Sequence, residues 1–280
     1  LLVSGLLGMA LGMTFLLYAF ANGPVGLSAA LSSTTPVMMV PLIWIVSRER
    51  PAAGAWLGAA LAVLRAPHGW HETATRRQPR RQNPHMHLFE AATALFTLTR
   101  APAHRAIAQD CLEIITTHAL RPDGTLLEFF DPDWTPLTGA DQAIEPGHMA
   151  EWIYLADAFA RATGTPCGLP LGQMWRAVLD HRLPSGFLPD CAGQTRRRLW
   201  PQTELLKAAC VIGRDTVLAA DAQPQTIARL LWDGYMGTPV QGGWYDCFEE
   251  TTGALVSGNM PASTFYHIDV AVQACVDSGA

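Results

Sequence analysis

The sequence predicts an all-α chain in two parts, an N-terminal pair of membrane-spanning helices followed by a larger helical domain with its own core. Three observations predict it. Charge is segregated: residues 1–47 carry no charged side chain, and residues 1–66 carry four, Arg48, Glu49, Arg50 and Arg65, of the 43 in the 280-residue chain. Apolar residues run on almost without a break up to residue 46, then recur at i, i+3 and i+4 from residue 85 onward. Strand signals between those helical stretches are few.

In the first part, residues 1–20 (LLVSGLLGMALGMTFLLYAF) and 25–46 are two apolar runs separated by Ala21-Asn22-Gly23-Pro24. Each is long enough to cross a bilayer as a helix, which takes about 20 apolar residues. Gly5, Gly8 and Gly12 recur at helical spacing, a small-residue face that lets helices approach closely in lipid. A signal peptide would show a basic start and one short apolar core, not two long ones. A buried soluble hairpin is the other alternative. A third run, 52–64, is rich in Ala and Gly and short for a span. Basic residues follow the second run (Arg48, Arg50) and the third (Arg65, then Arg76-Arg77-Gln78-Pro79-Arg80-Arg81). The positive-inside tendency puts both sites on the cytoplasmic side if two segments span and the third does not. The expectation is a membrane protein anchored through residues 1–66, with 67–280 in the cytoplasm.

Several stretches here are similar to the EamA-type repeat of the drug/metabolite transporter superfamily. They are Tyr18-Ala19-Phe20, Ser28-Ala29-Ala30-Leu31 leading to Pro36-Val37, Arg48-Glu49-Arg50-Pro51, and Trp56-Leu57-Gly58-Ala59-Ala60. Their order fits the last three helices of a repeat. Such transporters need several more helices around a central path, so the resemblance implies a transporter fragment and not a working transporter.

In the second part, seven stretches have helical period: 85–98, 103–118, 148–163, 173–181, 203–211, 226–232 and 263–276. Turn-rich loops separate them, among them Arg121-Pro122-Asp123-Gly124, Leu183-Pro184-Ser185-Gly186 and Gln241-Gly242-Gly243. A net charge of −5 without a basic stripe excludes nucleic acid as a partner class. The six cysteines are scattered, with no CxxC pair and no zinc spacing, and read as reduced thiols.

Polar and aromatic residues gather where these helices begin. Asn83 and His87 stand four apart, and His148 and Glu151 three apart, so each pair shares a helix face. Trp200-Pro201-Gln202-Thr203-Glu204, Gly243-Trp244-Tyr245-Asp246 and Met260-Pro261-Ala262-Ser263-Thr264-Phe265-Tyr266-His267 complete the set. Aromatic faces beside carboxylates, amides and imidazoles suit a sugar, whose C–H faces stack while its hydroxyls hydrogen-bond. A single histidine on a helix is more often a packed or surface residue, the reading taken for His68, His71, His104, His118 and His181. His85, His87, His148 and Glu151 also have spacing compatible with a metal site.

As a set, residues 83–90, 145–152, 200–204, 243–246 and 260–267 resemble the N-acylglucosamine 2-epimerase family, which includes mannose isomerases, cellobiose 2-epimerases and proteins described as mannose-6-phosphate isomerases. The resemblance runs from about Gly69 to Asp277, with Leu127-Glu128-Phe129-Phe130-Asp131 in support. It implies an incomplete (α/α)6 barrel, about seven of twelve helices, over 67–280. It implies that His267 removes the proton alpha to an open-chain carbonyl. His148 is then the second acid/base group or opens the ring, with Glu151 orienting it. By the same resemblance Asn83, His87, Trp200, Gln202 and Glu204 bind the substrate, a sugar or sugar phosphate, through an enediol that needs no cofactor and no metal. An imidazole titrates near about 6.5, which suits it to moving a carbon-bound proton at neutral pH. The family's early barrel helices and an arginine in them have no match in this chain. Three outcomes follow: a tethered sugar isomerase or epimerase, a non-enzymatic fusion or truncation product, or a transporter fragment with a sugar-binding tail. Unpaired barrel helices would in any case favour self-association.

Overall fold

The chain divides into two units, Leu1–Ala62 and Val63–Ala280. The structure, a computed structural model, describes residues 64–73 and 78–279, and the account below concerns those. The two expected spans lie outside the described residues. Among the described residues, no helix is long and apolar enough to cross a membrane.

Seven α-helices account for nearly half of the described residues: α1 (Asn83–Thr99), α2 (Pro102–Ile114), α3 (Pro146–Thr163), α4 (Leu171–Asp180), α5 (Leu199–Ile212), α6 (Pro224–Tyr235) and α7 (Ala262–Ser278). Each coincides with one of the periodic stretches, and most begin two to four residues earlier. The reason is chemical. Proline stands in the first turn of α1, α2, α3 and α6, where its missing N–H costs nothing and its fixed φ suits the helix. The first turns of α3 and α5 also hold polar site residues, so the apolar period starts only after them. At the far end of α3, Gly164 takes φ 69°, a left-handed cap that a side chain would resist.

Two small antiparallel ribbons escaped the sequence pattern, being too short to show a period of two. One pairs β1 (Arg80–Arg81) with β2 (Phe129–Phe130) in the register Arg80↔Phe130. The other is a three-stranded sheet in the order β3 (Arg196–Arg198), β4 (Cys247–Glu249), β5 (Leu255–Ser257). β1 leads directly into α1 and β3 into α5, so each ribbon pins the start of a helix.

The packing is layered. α1, α3, α5 and α7 are successive neighbours in an inner arc, while α2 lies against α1, α4 against α3 and α5, and α6 against α5. The core fills the space between layers. Trp152, Phe89 and Phe159 pack ring on ring, with Phe89 5.0 Å from Trp152 and 5.3 Å from Phe159. Met86, Met149, Ile153, Met174 and Leu188 are fully buried around them. Burial of such side chains is worth about 1.5–3 kcal/mol each and fixes the helices relative to one another. α7 closes the arc differently: its buried side chains are the small Thr264, Ala271 and Ala274, and its other face is open.

Candidate active site

The starts of the four inner helices meet at one cavity of about 320 Å³. α1 brings Asn83 and His87, α3 brings His148 and Glu151, α5 brings Trp200, and α7 brings Ser263 and His267. In three of the helices the two residues stand one turn apart, so a single face of each looks into the cavity. Glu128 and Phe129 from β2 and its approach, Glu145 from the residue before α3, and the guanidinium groups of Arg81 and Arg198 complete the lining. Helix N-termini carry partial positive charge, which favours the carboxylates gathered here.

His148 is held on both ring nitrogens. Its Nδ1 lies 3.0 Å from Glu128 Oε1 and 3.3 Å from Glu145 Oε2, and its Nε2 lies 2.8 Å from Asn83 Nδ2. In that last pairing the amide donates to a neutral ring; a protonated ring takes the amide turned about, with its oxygen accepting. Burial disfavours charge on this ring, but Glu128, then Glu145 and Glu151, outweigh it and raise the imidazole to about 9. Glu128 is itself locked: Gln82 Nε2 donates to both of its oxygens at 3.0 Å, and Trp152 Nε1 donates to Gln82 Oε1 at 2.9 Å. A chain of hydrogen bonds thus ties the histidine to the aromatic core.

His267 has a matching support. Its Nδ1 donates to Glu204 Oε1 at 2.7 Å, which leaves Nε2 for the cavity. Glu204 is fully buried, and its other oxygen is paired with the equally buried Lys207 Nζ at 2.6 Å. Burial would push the Glu204 carboxyl up, but Lys207 and His267 outweigh it and hold it low. Burial likewise opposes charge on Lys207, and Glu204 and Glu151 keep its ammonium protonated. Glu151 sits between these groups with Oε1 buried and without a hydrogen-bond partner. Burial first, then the Glu204 charge, push it up to about 7, against the pull of Lys207, His87 and His267. A group so poised can give or take a proton near neutrality.

Trp200 stands between the two histidines, its ring 5.1 Å from His148 and 5.8 Å from His267. Gly147 makes room for it: a Cβ there would come within 2.6 Å of the indole.

The structure therefore brings His148, His267, Glu151, Asn83, His87 and Trp200 to one cavity. Two of the sequence-predicted residues lie behind it. Gln202 does not line the cavity; its amide is spent on the Leu188 backbone N–H and carbonyl and on the Arg198 carbonyl. Glu204 lies beneath His267 and cannot reach a sugar past the ring it supports. The orienting carboxylate of His148 is Glu128, not Glu151, whose charge is directed towards Glu204, Lys207, His87 and His267. Glu128, Glu145, Gln82 and Lys207 went unassigned in the sequence. The signals for them were the Leu127–Asp131 stretch, which holds Glu128, and the 145–152 stretch, which begins at Glu145; Gln82 and Lys207 had none, because their roles depend on pairings across the fold.

Among the described residues, three sets of side chains have ligand atoms close enough to hold a metal: His87, Glu90 and Glu151; Glu128, Glu145 and His148; and Glu151, Glu204 and His267. The quartet with His85 is not assembled. His85 Nε2 accepts the Trp70 backbone N–H at 3.0 Å and Nδ1 faces the Arg81 carbonyl, in a cage with Trp70 and Trp134. Burial pushes that imidazole down to about 4, so it stays neutral.

The N-acylglucosamine 2-epimerase (GlcNAc 2-epimerase) family model matches residues 48–170 and 183–271. The EamA-like transporter family model matches residues 1–65. A mannose-6-phosphate isomerase of Rhizobium meliloti (strain 1021) is 31% identical over 227 residues, which cover 73% of this chain and 57% of that protein. The chain thus spans little more than half the length of that relative. A sugar epimerase from a ruminal bacterium superposes with TM-score 0.67 at 16% identity, over 85% of this chain and 68% of that one. A D-mannose isomerase gives 0.66 at 18% identity, over 80% and 63%. The cellobiose 2-epimerase of Spirochaeta thermophila DSM 6192 gives 0.59 at 21% identity, over 81% and 62%. These likenesses show the fold, a helical barrel type shared with sugar epimerases, and the family match spans most of the chain. The chain belongs to the N-acylglucosamine 2-epimerase family.

Proposed function

We propose that residues 67–280 form a partial (α/α)6 barrel carrying a sugar isomerase or epimerase site of the mannose or mannose-6-phosphate type, and that residues 1–66 tether it to a membrane. The observation that supports the chemistry is the pair of histidines facing one cavity, each braced on Nδ1 by a buried carboxylate. With Nδ1–H given to Glu204, His267 Nε2 holds a lone pair for the proton on the carbon next to the carbonyl. The C–H electrons then form the C=C bond of an enediol while the carbonyl oxygen gains a proton. His148, kept protonated by Glu128, is the donor for that oxygen and for ring opening. Glu151 supplies or accepts the proton that reaches the second hydroxyl. Return of the proton to C1 completes an isomerisation, and return to the opposite face of C2 an epimerisation. Asn83 and His87 hold hydroxyls, and the Trp200 indole supports the C–H face of the ring.

A second reading is a fusion or truncation product that keeps the fold without turnover; the EamA-like match over residues 1–65, joined to the epimerase-family match, supports it. One experiment separates the two. The full chain is incubated in deuterium oxide with mannose and, separately, with mannose 6-phosphate. Turnover with deuterium entering at C1 or C2, undiminished by a chelator, is the expected result for the enzyme. A metal mechanism would stop under chelation, and absence of turnover with both sugars would support the second reading.

A further inference from the structure

The six cysteines show no pairing in sequence, but the fold brings two together at the end of the inner arc remote from the cavity. Cys210 near the end of α5 and Cys275 near the end of α7 have their sulfurs 3.8 Å apart, in hydrogen-bond contact. α5 and α7 pack against each other, and each cysteine follows a buried alanine, Ala209 on α5 and Ala274 on α7. Cys210 forms part of the wall of a cavity of about 570 Å³, together with Arg214 and Ser278, while Cys275 is half-buried. We propose that Cys210 and Cys275 form an oxidisable dithiol, which a hydroperoxide converts to a disulfide joining α5 to α7.

The surroundings assign the two sulfurs different parts. The hydrogen bond with Cys275 favours a thiolate on Cys210 and, with the Arg214 charge, brings it down to about 7 despite burial. Cys275, as the donor, is held up. Burial pushes Cys111, Cys167, Cys191 and Cys247 up as well, and Cys210, unlike Cys275, lines the cavity through which a peroxide reaches the pair, so Cys210 takes the nucleophile's part. Its thiolate attacks one peroxide oxygen. The O–O bond breaks, the second oxygen leaves as hydroxide and becomes water, and Cys210 becomes a sulfenic acid. Cys275 sulfur then attacks Cys210 sulfur. The S–S bond forms, the S–O bond breaks, and the departing hydroxide takes the Cys275 proton as a second water. Both sulfurs are oxidised, and the two peroxide oxygens are reduced.

A bond of about 2.05 Å calls for the sulfurs to close by under 2 Å, which side-chain rotation and a small helix shift supply. α7 leans on α5 and leaves its other face open, so the cross-link fixes its position. Eight residues before Cys275, the same helix carries His267, whose bond to Glu204 also joins α7 to α5. The cross-link stands independently of the proposed chemistry; its consequence for turnover rests on that reading.

The test treats the full chain with hydrogen peroxide in small excess, alkylates remaining thiols and maps the peptides. The expected product is a Cys210–Cys275 peptide pair lacking two hydrogens and reversed by a thiol reductant. In Cys275→Ser, Cys210 should instead be trapped as sulfenic acid by a dione probe; in Cys210→Ser, Cys275 should stay reduced. Hydrogen exchange of the reduced and oxidised protein gives a second measurement, with amides over 262–278 slowed about tenfold or more on oxidation. Alkylation of both cysteines after peroxide, or a cross-link from Cys210 to any other cysteine, overturns the proposal. Neither readout uses sugar turnover, so an inactive chain leaves this test intact.

Discussion

His267 and His148 both present an imidazole to one cavity yet differ in setting, and the proposed roles rest on that difference. His267 is braced by one carboxylate whose charge is already shared with Lys207, and it presents Nε2 as a base. His148 lies among Glu128, Glu145 and Glu151 and is the acid in the proposed reaction. Replacing His267 by alanine should lower kcat by about 10²–10⁴-fold with the helical fold retained. Undiminished turnover, with a circular dichroism spectrum like the parent's, would refute the assignment. The pH dependence of stability tests His148. Its value in the folded chain, about 9, lies above the usual 6.5, so the folded state binds the proton more tightly. The stability this contributes is complete below about 6.5 and is lost as pH rises to about 9. Glu151, raised from 4.5 to about 7, adds a loss over that lower window. The Tm of the parent should therefore fall from pH 6 to pH 9, and that of His148→Gln should fall less.

At the scale of elements, α5 does more than pack. It carries Trp200 towards the cavity, Gln202 to the Leu188 turn, Glu204 beneath His267 and Lys207 beneath Glu204, all within two turns. Lys207→Met should leave the buried Glu204 charge with only the His267 N–H to balance it, costing about 3–5 kcal/mol in urea unfolding. Adding Glu204→Gln should recover part of that loss, which a merely bulky substitution would not allow. The contact between α3 and α5 has its own test. In Gly147→Ala the new methyl meets the Trp200 ring, and overpacking of this kind costs about 1–3 kcal/mol. The same variant should raise KM more than it changes the pH profile, because it moves the wall and not the histidines.

At the scale of the molecule, the inner arc leaves apolar side chains open to solvent. On α7, Phe265, Val272 and Val276 are exposed, and on α1 Leu98 is 82% exposed. We expect the chain to self-associate through them, seen as a concentration-dependent sedimentation coefficient. Phe265→Ser with Val276→Ser should reduce it, and a parent that stays monomeric at all concentrations would contradict the expectation. For the proposed tether, reporter fusions after Ala66 should read as cytoplasmic.

What the sequence by itself determined is local. The i, i+3, i+4 period located all seven described helices, because helix formation depends on neighbours within a turn. The clustering of Asn83, His87, His148, Glu151, Trp200 and His267 near helix starts was legible for the same reason, since one face of a first turn is set by spacing alone. Tertiary structure decided the partners. Glu128 and His148 are 20 residues apart, Glu204 and His267 are 63, and Cys210 and Cys275 are 65. No periodicity links such positions; only the arc that places α1, α3, α5 and α7 side by side brings them within bonding distance. Gln202 and Glu204 show the limit most clearly. Their place in the motif marked them for the substrate, but a helix has two sides, and which side faces the cavity is chosen by the packing of its neighbours.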